Sequence, residues 1–271
     1  MRSCVALVME CRYNGEMLQR LVLPMILAAG FLAGPPAAPA QAAPPSAVPA
    51  DCPRPRLALP PIPMDLRDGT LVIVALGSSS TEGAGASGPH AAYPYRLEAM
   101  LRRALPGVAL RVINAGRSGE TSEDMLARLD RDVLAHEPDL VIWQAGGNEV
   151  LRGRTVESFL DVMRTGLTRL RAAGVGVVLM DNQRAPRLDS VPLAARMDHA
   201  MEVLSAETGV PLFARSRLMR AWRAEGVAPG DVLAPDQLHH NDRGYACLAE
   251  ALAKALVDAA LPAPSRDFAA R

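Results

Sequence analysis

Six consecutive apolar residues, Leu71-Val72-Ile73-Val74-Ala75-Leu76, run without a polar break into Gly77-Ser78-Ser79-Ser80-Thr81-Glu82-Gly83. A short apolar run bounded by glycine reads as a fully buried strand. Its far end is small and rich in hydroxyls, and in open α/β sheets ligands sit at such strand ends. One of Ser78, Ser79 and Ser80 is therefore a candidate nucleophile. The rest of the chain must then supply a base, an orienting acid and donors for an oxyanion.

The pattern that follows alternates. A helical stretch from Tyr95 to Leu105 precedes a strand at Leu110–Asn114, and a helix from Ser122 to His136 precedes a strand at Asp139–Ala145. Phe159, Leu160, Met163, Leu167 and Leu170 recur at helical spacing between Val156 and Ala173, and Gly174 ends that helix before the run Val175–Met180. A helix over Leu193–Thr208, a brief strand at Pro211–Phe213 and a closing helix over Asp242–Leu256 complete the series. Strands alternating with helices predict one three-layer α/β/α domain around five parallel strands, flavodoxin-like in layout, over residues 66–262. The chain's 49% hydrophobic content is ample for such a core.

The ends carry different chemistry. Arg12 and Arg20 precede the apolar stretch Leu21–Ala33, which has the length of a secretory h-region and is short for a membrane span. Ala40-Gln41-Ala42 offers a cleavage site, so residues 1–42 read as a signal peptide, with Met17 an equally good start; Pro24 and Gly30 argue against an uncleaved anchor. The expectation is an exported protein, periplasmic or extracellular, with no membrane span left after cleavage. Residues 43–65 are dominated by Pro and Ala and read as an extended tether with no core of its own, and residues 263–271 as a tail. Cys52, in the tether, and Cys247, in the last helix, either pair as one disulfide or stay apart, with Cys247 a small core residue and Cys52 free. Basic and acidic residues balance at 29 each, which gives no footing for nucleic acid or an anionic membrane surface as a partner.

Three further segments carry chemistry. Asn114-Ala115-Gly116-Arg117-Ser118-Gly119 follows the second strand; its glycines expose backbone N–H groups, or simply serve the turn. Gly146-Gly147-Asn148-Glu149 follows the third, where an Asn amide can face an oxyanion or occupy a left-handed turn, and Glu149 is a helix-start acid. Asp236-Gln237-Leu238-His239-His240 lies late in the chain, and a three-residue spacing lets the carboxylate hold one imidazole nitrogen while the other acts as base. The same group could instead cap the last helix or bind a metal, but no further His or Cys cluster supports a metal site. His90, His136 and His199 read as surface residues.

Taken together and in this order, the four segments resemble the SGNH hydrolase superfamily, the GDSL-like esterases and lipases, from about Leu71 to Leu256. The resemblance implies Ser79 as nucleophile, Asp236 and His239 as acid and base, and Ser79, Gly119 and Asn148 as the oxyanion hole. It implies no cofactor and no metal. It departs from the family at Ser78, where an Asp is usual, at Glu149, where Asp is frequent, and at His240, where proline or leucine often follows the base. The expected activity is hydrolysis of carboxylic esters of small molecules or glycans. Low aromatic content, 4%, and no obvious apolar lid favour short acyl groups such as acetyl. Lysophospholipase, thioesterase or O-acyltransferase activity, and a non-catalytic glycan-binding module, are the alternatives.

Overall fold

The opening apolar run is the strand β1, Thr70–Gly77, an inner strand of the sheet in a computed structural model that describes residues 52–55, 57–62 and 69–260. After β1 come the short helix α1 (Ser79–Glu82) and α2 (Tyr93–Ala104), then β2 (Ala109–Gly116) with α3 (Ser122–Ala127) and α4 (Leu129–Asp132). Next are β3 (Leu140–Gln144), α5 (Gly147–Leu151), α6 (Val156–Ala172), β4 (Gly176–Met180), α7 (Pro186–Asp189) and α8 (Leu193–Thr208). The series ends with β5 (Leu212–Phe213), α9 (Arg215–Ala224), α10 (Pro229–Val232) and α11 (Asp242–Ala260).

The five strands are all parallel, in the order β2-β1-β3-β4-β5. The α/β/α architecture is thus as expected from the alternation. α2 packs against β2 and α11 on one face, while α6 meets β4, α3 and α8 on the other. Covered on both faces, the central strands need no polar alternation: Ile73 to Leu76 and Leu140 to Trp143 are fully buried. Gly166 lets α6 lie directly on the Trp143 indole, where any Cβ would collide with the ring. The chain runs from β1 outward to β2 and then back past β1 to β3, so the strand order reverses there. Ligand crevices form at such switch points, beyond the carboxyl ends of the strands.

Two local expectations change. The single helix foreseen over Ser122–His136 is interrupted at Arg128, whose side chain turns inward and is 5% exposed. Its guanidinium donates to Ala115 O at 2.7 Å and Gly77 O at 3.4 Å and pairs with Glu120 and Asp132. It thereby clips the ends of β1 and β2 together. α9 was not foreseen, because four arginines between Arg215 and Arg223 mask the buried stripe Leu218, Met219 and Trp222.

The tether needs a larger correction. Residues 43–51, 56 and 63–65 of it lie outside the described residues, as do residues 1–42 and the tail, but residues 52–55 and 57–62 are a strap packed on the domain rather than a free linker. Leu59 and Ile62 are buried in the main core, Trp222 Nε1 donates to Pro53 O at 3.2 Å, and Arg54 pairs with Glu250 at 2.8 Å. Pro and Ala dominate the composition, yet Leu57, Leu59 and Ile62 are enough to seat the chain along α11. Cys52 and Cys247 form a disulfide that closes 195 residues of chain. A loop of that length gives the cross-link a large effect on the unfolded state. Cys52→Ser is expected to lower stability by about 2–5 kcal/mol. Urea unfolding without reductant checks this, and reduced wild-type protein should match the variant.

Candidate active site

The turn after β1 assigns a different partner to each hydroxyl. Gly77 leaves no room for a side chain, since a Cβ there would run into Thr81 and Gln144. Ser78 donates from both its N–H, at 3.0 Å, and its hydroxyl, at 3.1 Å, to Gln144 Oε1. Thr81 Oγ1 donates to the same oxygen at 3.2 Å. Ser80 is buried and accepts from Arg215 Nη1 at 3.1 Å. Ser79, half-buried at the first position of α1, lies 2.8 Å from His239 Nε2.

Below this turn is a buried polar layer. Arg215 is fully buried and donates to Asp181 O through Nε at 3.1 Å and Nη2 at 2.9 Å. The Asp181 carboxylate accepts from Ser216 N at 2.9 Å and Ser216 Oγ at 2.6 Å. Burial nevertheless pushes its pKa up to about 6, because desolvation outweighs those hydrogen bonds and the Arg215 charge.

Asp236 and His239 sit on one tight loop. The Leu233–His240 bridge and the Ala234 N to His239 O bond, 2.8 Å, close it. Gln237 at its tip has φ +55°. Asp236 Oδ1 accepts from Leu238 N and His239 N, both at 3.0 Å, an Asx-type turn that aims Oδ2 at His239 Nδ1, 2.5 Å away. Partial burial works to raise the Asp236 pKa, but the side-chain and backbone hydrogen bonds outweigh it and hold the carboxyl below the usual range. The structure thus lines up Asp236, His239 and Ser79 in one hydrogen-bonded chain. With Asp236 accepting the Nδ1 proton, Nε2 is left with the lone pair that faces Ser79 Oγ.

His240 has a different place. It is fully buried between Trp222 and Tyr245, and its Nδ1 donates to Val232 O at 3.2 Å. Burial first, and then the charge of Arg215, push its pKa down to about 3, so it stays neutral. Geometry therefore separates the two adjacent histidines that spacing alone had to choose between.

The other two segments converge on the same turn. Gly119 has φ +80°, a conformation that favours glycine, and its carbonyl accepts from Arg152 Nη2 at 2.6 Å. The backbone N–H groups of Gly119 and Ser79 have no hydrogen-bond partner among the described residues. Asn148, near the start of α5, donates to Glu120 O at 2.8 Å. Glu149 is more than a helix-start acid: it is buried and accepts from Gly146 N at 3.1 Å and from Ser122 N. It joins the first turns of α3 and α5. Asn114 accepts from Gly116 N at 2.9 Å and donates to Glu82 O at 3.2 Å, so its work is to shape the loop.

A shallow, narrow pocket opens beside Ser79, walled by Gln144, Asn148, Gln183, Leu188 and Leu238. Gln183 Nε2 donates to Leu238 O at 3.2 Å and ties the loop after β4 to the loop of Asp236 and His239. The sequence reading missed Gln144, Gln183 and Arg128. A signal existed for the first, since Gln144 is the sole polar residue of β3. Among the described residues no three His, Cys, Asp or Glu side chains gather as a metal site, and no helix among them is long and apolar enough to cross a membrane.

The chain is similar to several known proteins. Esterase TesA of Pseudomonas aeruginosa is 29% identical over 143 residues, which cover 51% of this chain and 71% of that one. Acetylxylan esterase of Geobacillus stearothermophilus is 27% identical over 192 residues, 66% of this chain and 87% of that one. In three dimensions it resembles a two-domain esterase (CEX) active on acetylated mannans, with a TM-score of 0.63 at 23% identity. That match covers 73% of this chain but only 51% of the two-domain esterase, and at this identity it speaks for the fold. The model of the non-GDSL lipase-like family matches residues 45–262. With that match over most of its length, the chain belongs to the non-GDSL lipase-like family within the SGNH hydrolase superfamily, and it is a hydrolase acting on ester bonds.

Proposed function

We propose that this protein is an exported serine esterase that removes short acyl groups, acetyl foremost, from carbohydrate esters. The observation that carries the reading is the chain Asp236 Oδ2 to His239 Nδ1, 2.5 Å, and His239 Nε2 to Ser79 Oγ, 2.8 Å. His239 takes the Ser79 proton as Oγ bonds to the acyl carbon, and Asp236 stabilises the imidazolium. The tetrahedral oxyanion is held by the N–H groups of Ser79 and Gly119 and by the Asn148 amide. Collapse breaks the ester C–O bond, and the leaving alkoxide takes the proton from His239. Water then attacks the acyl-enzyme, with His239 as base again, and releases the acid and free Ser79.

In the geometry described above, the Asn148 amide donates to Glu120 O, so contact with an oxyanion requires it to exchange or share that bond. Asn148→Ala is expected to cut kcat by about 10²–10³ with KM little changed. Steady-state kinetics on p-nitrophenyl acetate checks this.

Two features support a short acyl group on a carbohydrate. The pocket beside Ser79 is shallow and narrow, which suits a short acyl group better than a fatty acyl chain. Relatives by sequence and fold include an acetylxylan esterase and an esterase active on acetylated mannans. The deciding experiment is a panel of acetylated oligosaccharides, p-nitrophenyl esters of increasing length, lysophospholipids and acyl-thioesters, run with wild-type and Ser79→Ala protein. Preference for acetylated sugars supports the reading; preference for lysophospholipids or long thioesters overturns it. A run with a sugar acceptor and product analysis separates hydrolysis from acyl transfer. Export, with residues 1–42 removed as a signal peptide and the domain closing near residue 262, is tested by N-terminal sequencing of protein recovered from the periplasm or medium.

A further inference from the structure

Gln144 is the polar end of an otherwise apolar strand and is 1% exposed. An amide so buried must be hydrogen-bonded or it costs stability. Its Oε1 accepts three hydrogen bonds: Ser78 N at 3.0 Å, Ser78 Oγ at 3.1 Å and Thr81 Oγ1 at 3.2 Å. A backbone N–H can only donate, so the Ser78 N–H fixes which way the amide faces. The oxygen is held at the nucleophile turn, and the NH₂ is turned away from it. That NH₂ has no hydrogen-bond partner among the described residues and is not sealed off as a buried orphan. Gln144 lines the same pocket as Ser79 and Asn148, so the NH₂ is the part of the residue free to face it.

The other hydroxyls of the turn are held elsewhere. Thr81 Oγ1 also lies 3.4 Å from Tyr93 OH, and Ser80 is held by Arg215. Ser78, Ser80 and Thr81 are thus anchored from below, which leaves Ser79 the one hydroxyl of the turn directed at His239. Of these anchors, only Gln144 also reaches the pocket.

We propose that Gln144 is the positioning residue of the nucleophile: its oxygen fixes the turn that aims Ser79 at His239, and its NH₂ supplies a donor to the acyl pocket. The inference rests on Ser79 being the nucleophile. Three donors on one oxygen polarise the amide and strengthen the NH₂ as a donor. A partial positive charge there suits a site where negative charge develops on the acyl oxygen. A carboxylate at the same place keeps the acceptor for Ser78 and Thr81 but turns an anion toward that charge.

The test compares mature wild-type, Gln144→Glu, Gln144→Met and Ser79→Ala proteins. The readouts are fluorophosphonate inactivation rate, kcat and KM on p-nitrophenyl acetate from about pH 5 to 9, and urea midpoints. Gln144→Met, close in shape but unable to hold the turn, is expected to lower kcat and the inactivation rate by about tenfold or more with KM within about twofold. Gln144→Glu is expected to approach wild type at the acid end and to fall away from it progressively as pH rises and the new carboxyl ionises. A folded Gln144→Met protein with wild-type kcat overturns the proposal. So does a Gln144→Glu profile parallel to wild type, which decides the matter if the methionine variant does not fold. Fluorophosphonate labelling that persists in Ser79→Ala overturns the nucleophile assignment instead, which keeps the two failures apart.

Discussion

Ser79→Ala is expected to lower kcat on p-nitrophenyl acetate by a factor of about 10⁴–10⁶ while KM and the unfolding midpoint stay near their wild-type values. The size of the loss follows from the turn's division of labour. A neighbouring hydroxyl could in principle take over, because three serines stand in a row. Ser78 is buried with its hydroxyl donating to Gln144, and Ser80 is buried under Arg215. Neither can reach His239 without giving up a buried hydrogen bond and distorting α1. Removing Ser79 Oγ takes away one half-buried oxygen whose partner is the His239 ring nitrogen, so the fold has little to lose. Fluorophosphonate labelling with peptide mapping provides the independent check: label should appear on Ser79 in wild type and on none of the three positions in the variant. A Ser79→Ala enzyme within tenfold of wild type would remove the nucleophile assignment altogether.

The fold and the site differed in how much of them the sequence could disclose. Apolar runs such as Leu71–Leu76 and Leu140–Trp143 state their own burial, and their alternation with helical stretches leaves few arrangements besides a covered parallel sheet. What escaped was structure that depends on one long side chain or on sparse apolar residues. Arg128 breaks a helix because its guanidinium is required between Gly77 and Ala115, and nothing local in the sequence announces that need. The strap of residues 52–55 and 57–62 hid behind proline and alanine, since its apolar contribution is only Leu57, Leu59, Ile62 and a cysteine. At the site, the spacing of Asp236 and His239 was legible because it is local. The partners of Ser78, Ser80 and Thr81 were not, since Gln144 and Arg215 arrive from strand and helix ends 63 and 135 residues away. His240 shows the same limit: sequence offers two adjacent histidines, and only the packing of Trp222 and Tyr245 buries one of them.

Asp236→Asn is expected to cost about 10⁴ in kcat, nearly as much as losing the nucleophile, although the side chain keeps its shape. The asparagine oxygen can still accept from Leu238 N and His239 N, so the loop that presents His239 should persist. The change falls on the other branch, where a carboxylate oxygen that accepts the Nδ1 proton is replaced by an NH₂ that donates. His239 then bonds best as the tautomer with Nδ1 bare and the proton on Nε2, facing Ser79 Oγ. A ring nitrogen that carries a proton cannot take another from the serine without becoming charged, and the variant has no anion to stabilise that charge. Since the wild-type carboxyl is held below its usual range by those hydrogen bonds, it is ionised across neutral pH and supplies that stabilisation throughout. The residual activity of the asparagine variant should climb with pH, as hydroxide in solution substitutes for the missing base, while KM on p-nitrophenyl acetate stays close to wild type. Asp236→Ala separates the two effects, because it removes the loop's acceptor as well and should lose thermal stability where the asparagine variant does not. An asparagine variant retaining more than about a tenth of wild-type kcat would mean that His239 is oriented by something other than Asp236.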